Sequence, residues 1–274
     1  MAQSIKKLLV VGGTGFLGSK ICQRAVERGL EVVSLSRRGQ PSQPDPSAKA
    51  TGTNDWQAGV TWCQGDVLRP ETYAAELAKC DAVVHTVGTL LEANYKGLAQ
   101  STSLCQAVSH LVPNSPQVKG QREHSYEVIN RDTALMLAQA MAQSPRTKNL
   151  VYISASRVLP FIDSRYISTK REAEAALLKY GHFRTVILRP GIMYSAQQSL
   201  RSSVAGVLGM AGQVKQALLS RISRTQSPVP SAGLATPPLP VDQVALATVN
   251  ALLNPSVAGV VPVDGIIELA SRSQ

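Results

Sequence analysis

Tyr166 and Lys170 stand four residues apart, a spacing that puts both side chains on one face of a helix. A phenol titrates near 10 and is a poor acid or base at neutral pH unless a neighbouring ammonium favours the phenolate. Lys170 can supply that charge. The spacing has a plain rival, a helix-face pair kept for folding or for holding a ligand without turnover. Position gives it weight: the pair follows an apolar run, Asn149 to Ser154, with Ser154 and Ser156 lying 12 and 10 residues upstream of Tyr166.

The second constellation is Val10-Val11-Gly12-Gly13-Thr14-Gly15-Phe16-Leu17-Gly18, an apolar run that becomes a G-x-x-G-x-x-G loop and then a helical pattern. It reads as a dinucleotide-binding turn. Gly12 and Gly13 would let the backbone approach a pyrophosphate, Gly15 would open a helix whose free N–H groups face the phosphates, and Gly18 would let that helix pack on the sheet. Ser36-Arg37-Arg38 ends the next strand, where an Asp or Glu would favour NAD(H). Two cations there suit a 2′-phosphate and predict NADP(H) over NAD(H), with solvated arginines as the rival. Asp66, with Val67, sits beside the adenine on one reading and caps a turn before Pro70 on the other. Thr86-Val87-Gly88 offers small residues that can pass close under a cofactor, and His85 reads as a strand-end residue near the ribose rather than a base.

These residues need a scaffold, and the hydrophobic pattern supplies one. Strands are predicted over Ile5 to Val11, Leu30 to Leu35, Val60 to Cys63, Asp81 to Gly88, Asn149 to Ser154 and Phe183 to Leu188. Helices are predicted over Ser19 to Arg28, Pro70 to Lys79, Tyr126 to Met141 and Ser164 to Tyr180, the last with Ser164 as its cap. Alternating strand and helix predicts an α/β fold, a Rossmann-type doubly wound parallel sheet. The stretch from Thr89 to His124 is long for a connection and reads as a lid or partner-binding segment. Near the C-terminus, Val241 to Leu253 reads as a helix, and Gly259 to Leu269 supplies strand-like Val260-Val261-Pro262-Val263 and Ile266-Ile267. We expect a nucleotide-binding domain over residues 1–194. A small C-terminal lobe over 195–274 follows, its last helix and strand packing back on the core.

The 274 residues are 44% apolar and 17% charged, an ordinary globular composition. Cys22, Cys63, Cys80 and Cys105 show no paired spacing, so neither a metal site nor a disulfide framework is expected. A net charge of +10 suits nucleic acid, an acidic membrane surface, anionic ligands or a basic compartment. Nucleic acid is the least favoured, because aromatics make up only 4% and no basic run occurs. The charge is concentrated between Glu174 and Asp242, where no acidic residue occurs and Arg201, Lys215, Arg221 and Arg224 fall beside Val204, Val207, Leu208, Met210, Leu218 and Leu219. Those residues read either as a lobe that meets a lipid headgroup surface, a partner or an isoprenoid tail, or as an ordinary helix over the substrate cleft. No run is long and apolar enough for a transmembrane helix; with so early a first strand no cleavable leader is expected within these residues, a short or removed targeting segment being the alternative.

The motifs follow one another in a specific order: Gly12-x-x-Gly15-x-x-Gly18, Asp66-Val67, Asn130 in Val-Ile-Asn-Arg-Asp-Thr-Ala, Ser154 and Ser156, Tyr166-x-x-x-Lys170, Leu188-Arg189-Pro190-Gly191 and Pro240-Val241-Asp242. In that order the chain resembles the extended and atypical short-chain dehydrogenase/reductases over nearly its whole length. Within them it is most similar to mitochondrial accessory proteins, those of fungal coenzyme Q (ubiquinone) biosynthesis and of respiratory complex I. The resemblance implies that Tyr166 exchanges a proton with a carbonyl or alcohol and that Lys170 holds the nicotinamide ribose and tunes Tyr166. It also implies that Ser154 or Ser156 orients the substrate oxygen, that Asn130 is the superfamily's helix asparagine, and that Pro190 and Gly191 run beside the nicotinamide. By the same resemblance the partners would be other coenzyme Q biosynthesis proteins and an isoprenoid quinone intermediate. The place would be the matrix face of the mitochondrial inner membrane, peripherally bound. Two departures stand out: Ser195 replaces a usual glycine after Tyr194, and no sugar-nucleotide pattern is present.

Overall fold

The computed structural model describes residues 4–41, 55–89, 125–156, 163–195 and 238–272. Seven parallel strands form one sheet in the order β3-β2-β1-β4-β5-β6-β9. The strands are β1 (Lys7–Val11), β2 (Glu31–Ser36), β3 (Val60–Gln64), β4 (Ala82–His85), β5 (Asn149–Ile153), β6 (Arg184–Leu188) and β9 (Gly259–Val261), with a separate short pair, β7 (Met193–Tyr194) and β8 (Leu239–Pro240). Unbroken apolar runs such as Leu8-Leu9-Val10-Val11 and Leu150-Val151-Tyr152-Ile153 are what a sheet covered on both faces requires.

Alternate residues serve opposite layers. Leu8, Val10, Val32, Val151 and Val186 meet Ile21 and Ala25 of α1 (Phe16–Glu27). The same layer holds Val244 and Ala247 of α5 (Val241–Leu253) and Ile266 of α6 (Val263–Ser271). Leu9, Val11, Val33, Val83, Leu150 and Ile187 meet Leu77 of the one-turn α2 (Ala74–Leu77), Leu137 and Met141 of α3 (Thr133–Gln143), and Ala173 and Leu177 of α4 (Ser164–Leu177). A register slip of one residue would exchange the two layers, so the pairing Leu8↔Val32, Leu9↔Val33 is fixed by packing on both sides.

Several boundaries differ from the sequence pattern for local reasons. Pro70 to Lys79 is not one helix: a 3₁₀ turn, Pro70–Thr72, is broken from α2 at Tyr73, whose φ is −138°. The Thr72 hydroxyl bonds the Arg69 carbonyl at 2.7 Å and the Asp66 carbonyl at 3.2 Å, a local alternative to helix. α4 is capped by Asp163, which accepts from the Arg165 N–H at 2.8 Å, rather than by Ser164. Ile266 and Ile267 lie in α6, not in a strand, with Ile266 buried against α5. Asp81 precedes β4 instead of pairing in it, and its carboxylate accepts the Lys6 and Lys7 N–H groups, each at 2.9 Å.

The C-terminal elements are bolted on by Arg184 of β6. Its guanidinium donates to the carbonyls of Ala251 (3.2 Å), Leu252 (2.5 Å), Asn254 (2.6 Å) and Val257 (2.9 Å), satisfying the open end of α5. β9 then pairs with β6 in register Val186↔Gly259, Leu188↔Val261. The expected lid or partner segment and the basic apolar stretch within 196–237 lie outside the described residues.

Candidate functional site

Strand order reverses between β1 and β4, and the loops leaving their carboxyl ends flank the place where such sheets form a ligand crevice. The glycine loop occupies one side. Gly12 takes φ +89°, its N–H donates to the Leu35 carbonyl at 2.8 Å, and a Cβ there would lie 2.5 Å from Thr86 Oγ1. Cβ atoms on Gly13 and Gly18 would sit 2.2 Å from Ser34 Oγ and 2.1 Å from the Gly12 carbonyl oxygen. Gly15 is different: its Cβ would meet only the Gly12 oxygen, at 3.1 Å, and the residue is exposed. Gly15 is the N-cap of α1, with no side-chain cap and no acidic residue in the first turn. Phe16 is half exposed and Leu17 is buried in the core. Such an end leaves N–H groups and a positive dipole for an anion, so the cradle fits the pyrophosphate of a dinucleotide.

Around the loop, Thr86 Oγ1 donates to the Val11 carbonyl at 2.8 Å, which ties the β4 exit to β1. Val87 packs partly buried, and Gly88 faces the Lys170 ammonium, 3.1 Å from where a Cβ would be. At the end of β2, Ser36 Oγ donates to the Gly39 carbonyl at 3.3 Å and turns the exposed Arg37 and Arg38 outward. Asp66 Oδ1 accepts the Leu68 N–H at 3.0 Å, a turn-capping bond, while Val67 is buried.

A π-helical turn, Glu127–Asp132, precedes α3 and carries the buried Asn130 inward. Asn130 Oδ1 accepts the Thr89 N–H at 2.8 Å and Nδ2 donates to the Thr89 carbonyl at 3.1 Å, pinning the chain just beyond Gly88. The Asn130 carbonyl accepts the Tyr152 hydroxyl at 2.7 Å. Lys170 is buried: its ammonium donates to the Ile153 carbonyl at 2.9 Å and sits 4.8 Å from the Tyr152 ring centroid. Burial pulls its pKa down to about 7, against the opposing pull of Glu174.

His85 lies beneath. The Thr133 hydroxyl donates to the Ile129 carbonyl at 2.7 Å, so at 3.1 Å from His85 Nε2 it accepts. That places the ring proton on Nε2 and leaves Nδ1 a buried acceptor without a partner among the described residues. Burial first, then the charge of Lys170, drives His85 down to about 3, so it is neutral at physiological pH.

Tyr166 is half buried, edge-on to Tyr126 with centroids 6.1 Å apart. Its hydroxyl has no hydrogen-bond partner among the described residues. Burial pushes its pKa up to about 12, and the opposing cation is Arg171 rather than Lys170. At neutral pH Tyr166 is therefore a phenol, able to donate a proton rather than take one.

The two serines have different surroundings. Ser154 is buried and its hydroxyl donates to the Glu174 carboxylate. Ser156 is half buried, and its N–H donates to the Pro190 carbonyl at 2.8 Å, beside Gly191. Glu174 and Arg171 are the site residues that sequence reasoning missed, and Arg189 stood in a quoted motif without a role of its own. A signal existed: Glu174 is one turn beyond Lys170, on the helix face that buries Ala173 and Leu177. Burial alone would raise the Glu174 carboxyl, but hydrogen bonds from Arg189 and Ser154 and the charges of Arg171 and Arg189 hold it below the ordinary range.

With this geometry in view, comparisons with known proteins are consistent among themselves. Residues 8–225 match the model of the NAD dependent epimerase/dehydratase family. MIOREX complex component 2 of Saccharomyces cerevisiae is 32% identical over 285 positions, covering 96% of this chain and 99% of that protein. An uncharacterised chloroplastic protein of Arabidopsis thaliana is 29% identical, covering 97% of this chain and 78% of its own length. Among solved structures, UDP-glucose 4-epimerase of Thermus thermophilus in complex with NAD superposes with a TM-score of 0.56 at 21% identity, over 97% of this chain and 84% of that one, a likeness of fold. The chain belongs to the NAD-dependent epimerase/dehydratase family of the short-chain dehydrogenase/reductases.

Proposed function

We propose that the protein is an NADP(H)-binding oxidoreductase of the short-chain type that works within a mitochondrial protein assembly serving coenzyme Q biosynthesis. The observation that carries the reading is the cradle at Gly12–Gly18, an uncapped helix end in which only Gly15 leaves the approach open. Arg37 and Arg38, with no acidic residue at the end of β2, support preference for a 2′-phosphate. A bound nicotinamide dinucleotide supplies the hydride. Lys170, Pro190 and Gly191 would hold its nicotinamide riboside end, with Asn130 fixing the Gly88–Thr89 backbone through Thr89. Tyr166 delivers the proton to the substrate oxygen, which Ser154 or Ser156 orients.

Residues 1–194 would form the nucleotide domain and 195–274 the lobe that meets substrate or partner. The relative named as a component of the MIOREX complex supports work in an assembly. The order of motifs supports coenzyme Q biosynthesis proteins and an isoprenoid quinone precursor as partners. Peripheral contact with the matrix face of the inner membrane rests on the acid-free basic stretch before Asp242, and no described helix is long and apolar enough to cross a membrane.

A second reading is a nucleotide-binding assembly subunit without turnover, favoured by the engagement of Lys170 with the Ile153 carbonyl rather than with Tyr166. Native mass spectrometry of the protein purified from its cells addresses the proposal. NADP(H) together with partner proteins or a quinone precursor is expected. A protein that carries neither nucleotide nor partner, and gains neither on reconstitution, overturns it.

A further inference from the structure

Two backbone segments border the reacting side of the site, Ser154–Ser156 leaving β5 and Arg189–Gly191 leaving β6, and a single carboxylate lies between them. Glu174 is 3% exposed. It accepts from the Ser154 hydroxyl, from Arg171 Nη1, and from Arg189 through both Nε (3.0 and 3.2 Å) and Nη2. Arg171 spends its other terminal nitrogen on the Ala155 carbonyl at 2.8 Å and the Ser156 carbonyl at 2.7 Å. Ser156 N–H closes the ring on Pro190, and the Arg189 N–H donates to the Val261 carbonyl at 3.0 Å, extending the clamp to the last strand. A serine whose hydroxyl proton is held by a buried carboxylate has none to give a substrate.

We propose that Glu174 is a positioning residue of the site, which withdraws Ser154 from the substrate and, through Arg171 and Arg189, sets the Ser156 and Pro190–Gly191 segments against Tyr166 and Lys170. The inference rests on the reading of the crevice as a nicotinamide-dinucleotide site. Its second consequence concerns Lys170, one helical turn before Glu174. Facing the ammonium are Tyr152 and the Ile153 carbonyl from β5, the neutral His85 and Gly88 from β4 and its exit, Asn130 from the π-helical turn, and Glu174 on its own helix. Among the described residues, the charge that favours the protonated form of the buried ammonium is that of Glu174, one turn along the same helix. A charge-neutral Glu174→Gln variant loses that support while keeping nearly the same volume.

The test is titration of the full-length protein with NADPH, by nucleotide fluorescence, from pH 5.5 to 8.5, with amide exchange of Ser156 read in parallel. In the wild type, affinity falls as pH rises past the titration of Lys170. In Glu174→Gln the fall begins at lower pH, so that affinity at pH 7.5 drops at least about threefold. Near pH 5.5 the two proteins bind alike, and the Ser156 amide exchanges faster in the variant. Glu174→Asp, which keeps the charge, retains the wild-type midpoint. Arg171→Gln speeds Ser156 exchange without moving the midpoint, and it tests the backbone half if Glu174→Gln does not fold. Arg184→Gln, which loosens the end of α5 at the amino end of β6, moves neither.

An unchanged midpoint in Glu174→Gln, an equal loss of affinity at every pH, or unchanged Ser156 exchange in both variants overturns the proposal. Wild-type protein that binds no NADPH at any pH instead overturns the reading of the crevice. The clamp is then judged on Ser156 exchange alone.

Discussion

Alanine at Gly15 and alanine at Gly18 should have opposite signatures, although the two glycines are three residues apart in one motif. At Gly18 the new methyl would sit 2.1 Å from the Gly12 oxygen, 2.8 Å from the Gly12 carbonyl carbon and 2.9 Å from the Gly13 Cα. All three are backbone atoms, so relief requires the helix to back away by about 1 Å or the loop to move. Forcing a methyl against backbone atoms this close, rather than against a flexible side chain, costs about 2–3 kcal/mol, the upper part of the usual range. The gain of alanine over glycine in a helix returns about 1 kcal/mol. A net loss of about 1–2 kcal/mol lowers the melting temperature by roughly 2–8 °C for a chain of this size. At Gly15 the nearest atom is 3.1 Å away, and φ −82°, ψ 175° suits alanine. The stability cost there is about 0.5–1 kcal/mol, that of a poorer N-cap.

The methyl at Gly15 instead projects toward the space a phosphate must enter. NADPH affinity should fall at least about tenfold, or about 1.4 kcal/mol. Thermal melts paired with NADPH titration of both variants read the two effects separately. Wild-type affinity in Gly15→Ala would refute the assignment of the loop. A Gly18→Ala protein as stable as wild type would refute the packing argument.

Two further outcomes concern the site and a third the amino end of the sheet. Tyr166→Phe should leave NADPH affinity within about twofold and cut turnover of a carbonyl or quinone acceptor by about 10²-fold or more, measured by NADPH oxidation. Equal rates would favour the assembly reading. Replacing Arg37 and Arg38 together with serine should weaken NADPH binding at least about tenfold and leave NADH nearly unchanged in parallel titrations. A matched loss for both nucleotides would count against 2′-phosphate recognition. Burial would raise Asp81, but the Arg146 guanidinium and the Lys6 and Lys7 amides hold its carboxyl below the ordinary value. A depressed folded pKa gives stability that is full above the unfolded value, about 3.9, and is lost as pH falls through the folded one. Asp81→Asn should therefore be less stable than wild type at pH 7 in urea melts, with the difference shrinking toward pH 3. A constant difference would contradict the ion pair's role.

The scaffold was legible because its signals are redundant. Runs such as Leu8 to Val11 and Ala82 to His85 declare buried parallel strands, and the first passes through glycines into a helical pattern. Features that depend on tertiary partners were not. Ile266-Ile267 is as good a strand signal as a helix signal, and only the face offered by α5 and the β-sheet edge decides it. The break at Tyr73 depends on where the Thr72 hydroxyl finds carbonyls, and the π-helical turn at Asn130 on the contacts to Thr89 and Tyr152.

At the site, the spacing of the glycine loop encodes its geometry, and the Tyr166–Lys170 spacing encodes only that both residues share α4. The roles of Ser154 and Ser156 do not, since both leave the same strand end two residues apart. What separates them is Glu174, an ordinary glutamate on a helix face until Arg171 and Arg189 are seen to converge on it. Likewise the spacing suggests that Lys170 addresses Tyr166. The fold instead turns its ammonium to the Ile153 carbonyl and leaves Arg171 as the cation acting on the phenol.

The central claim is that Gly12–Gly18 holds a nicotinamide dinucleotide. Calorimetric titration of the purified wild-type chain with NADPH and, separately, NADH tests it most directly. Saturable binding at one site per chain is expected, tighter for NADPH by at least about tenfold and weakened in Gly15→Ala. Absence of saturable binding for both nucleotides would contradict it.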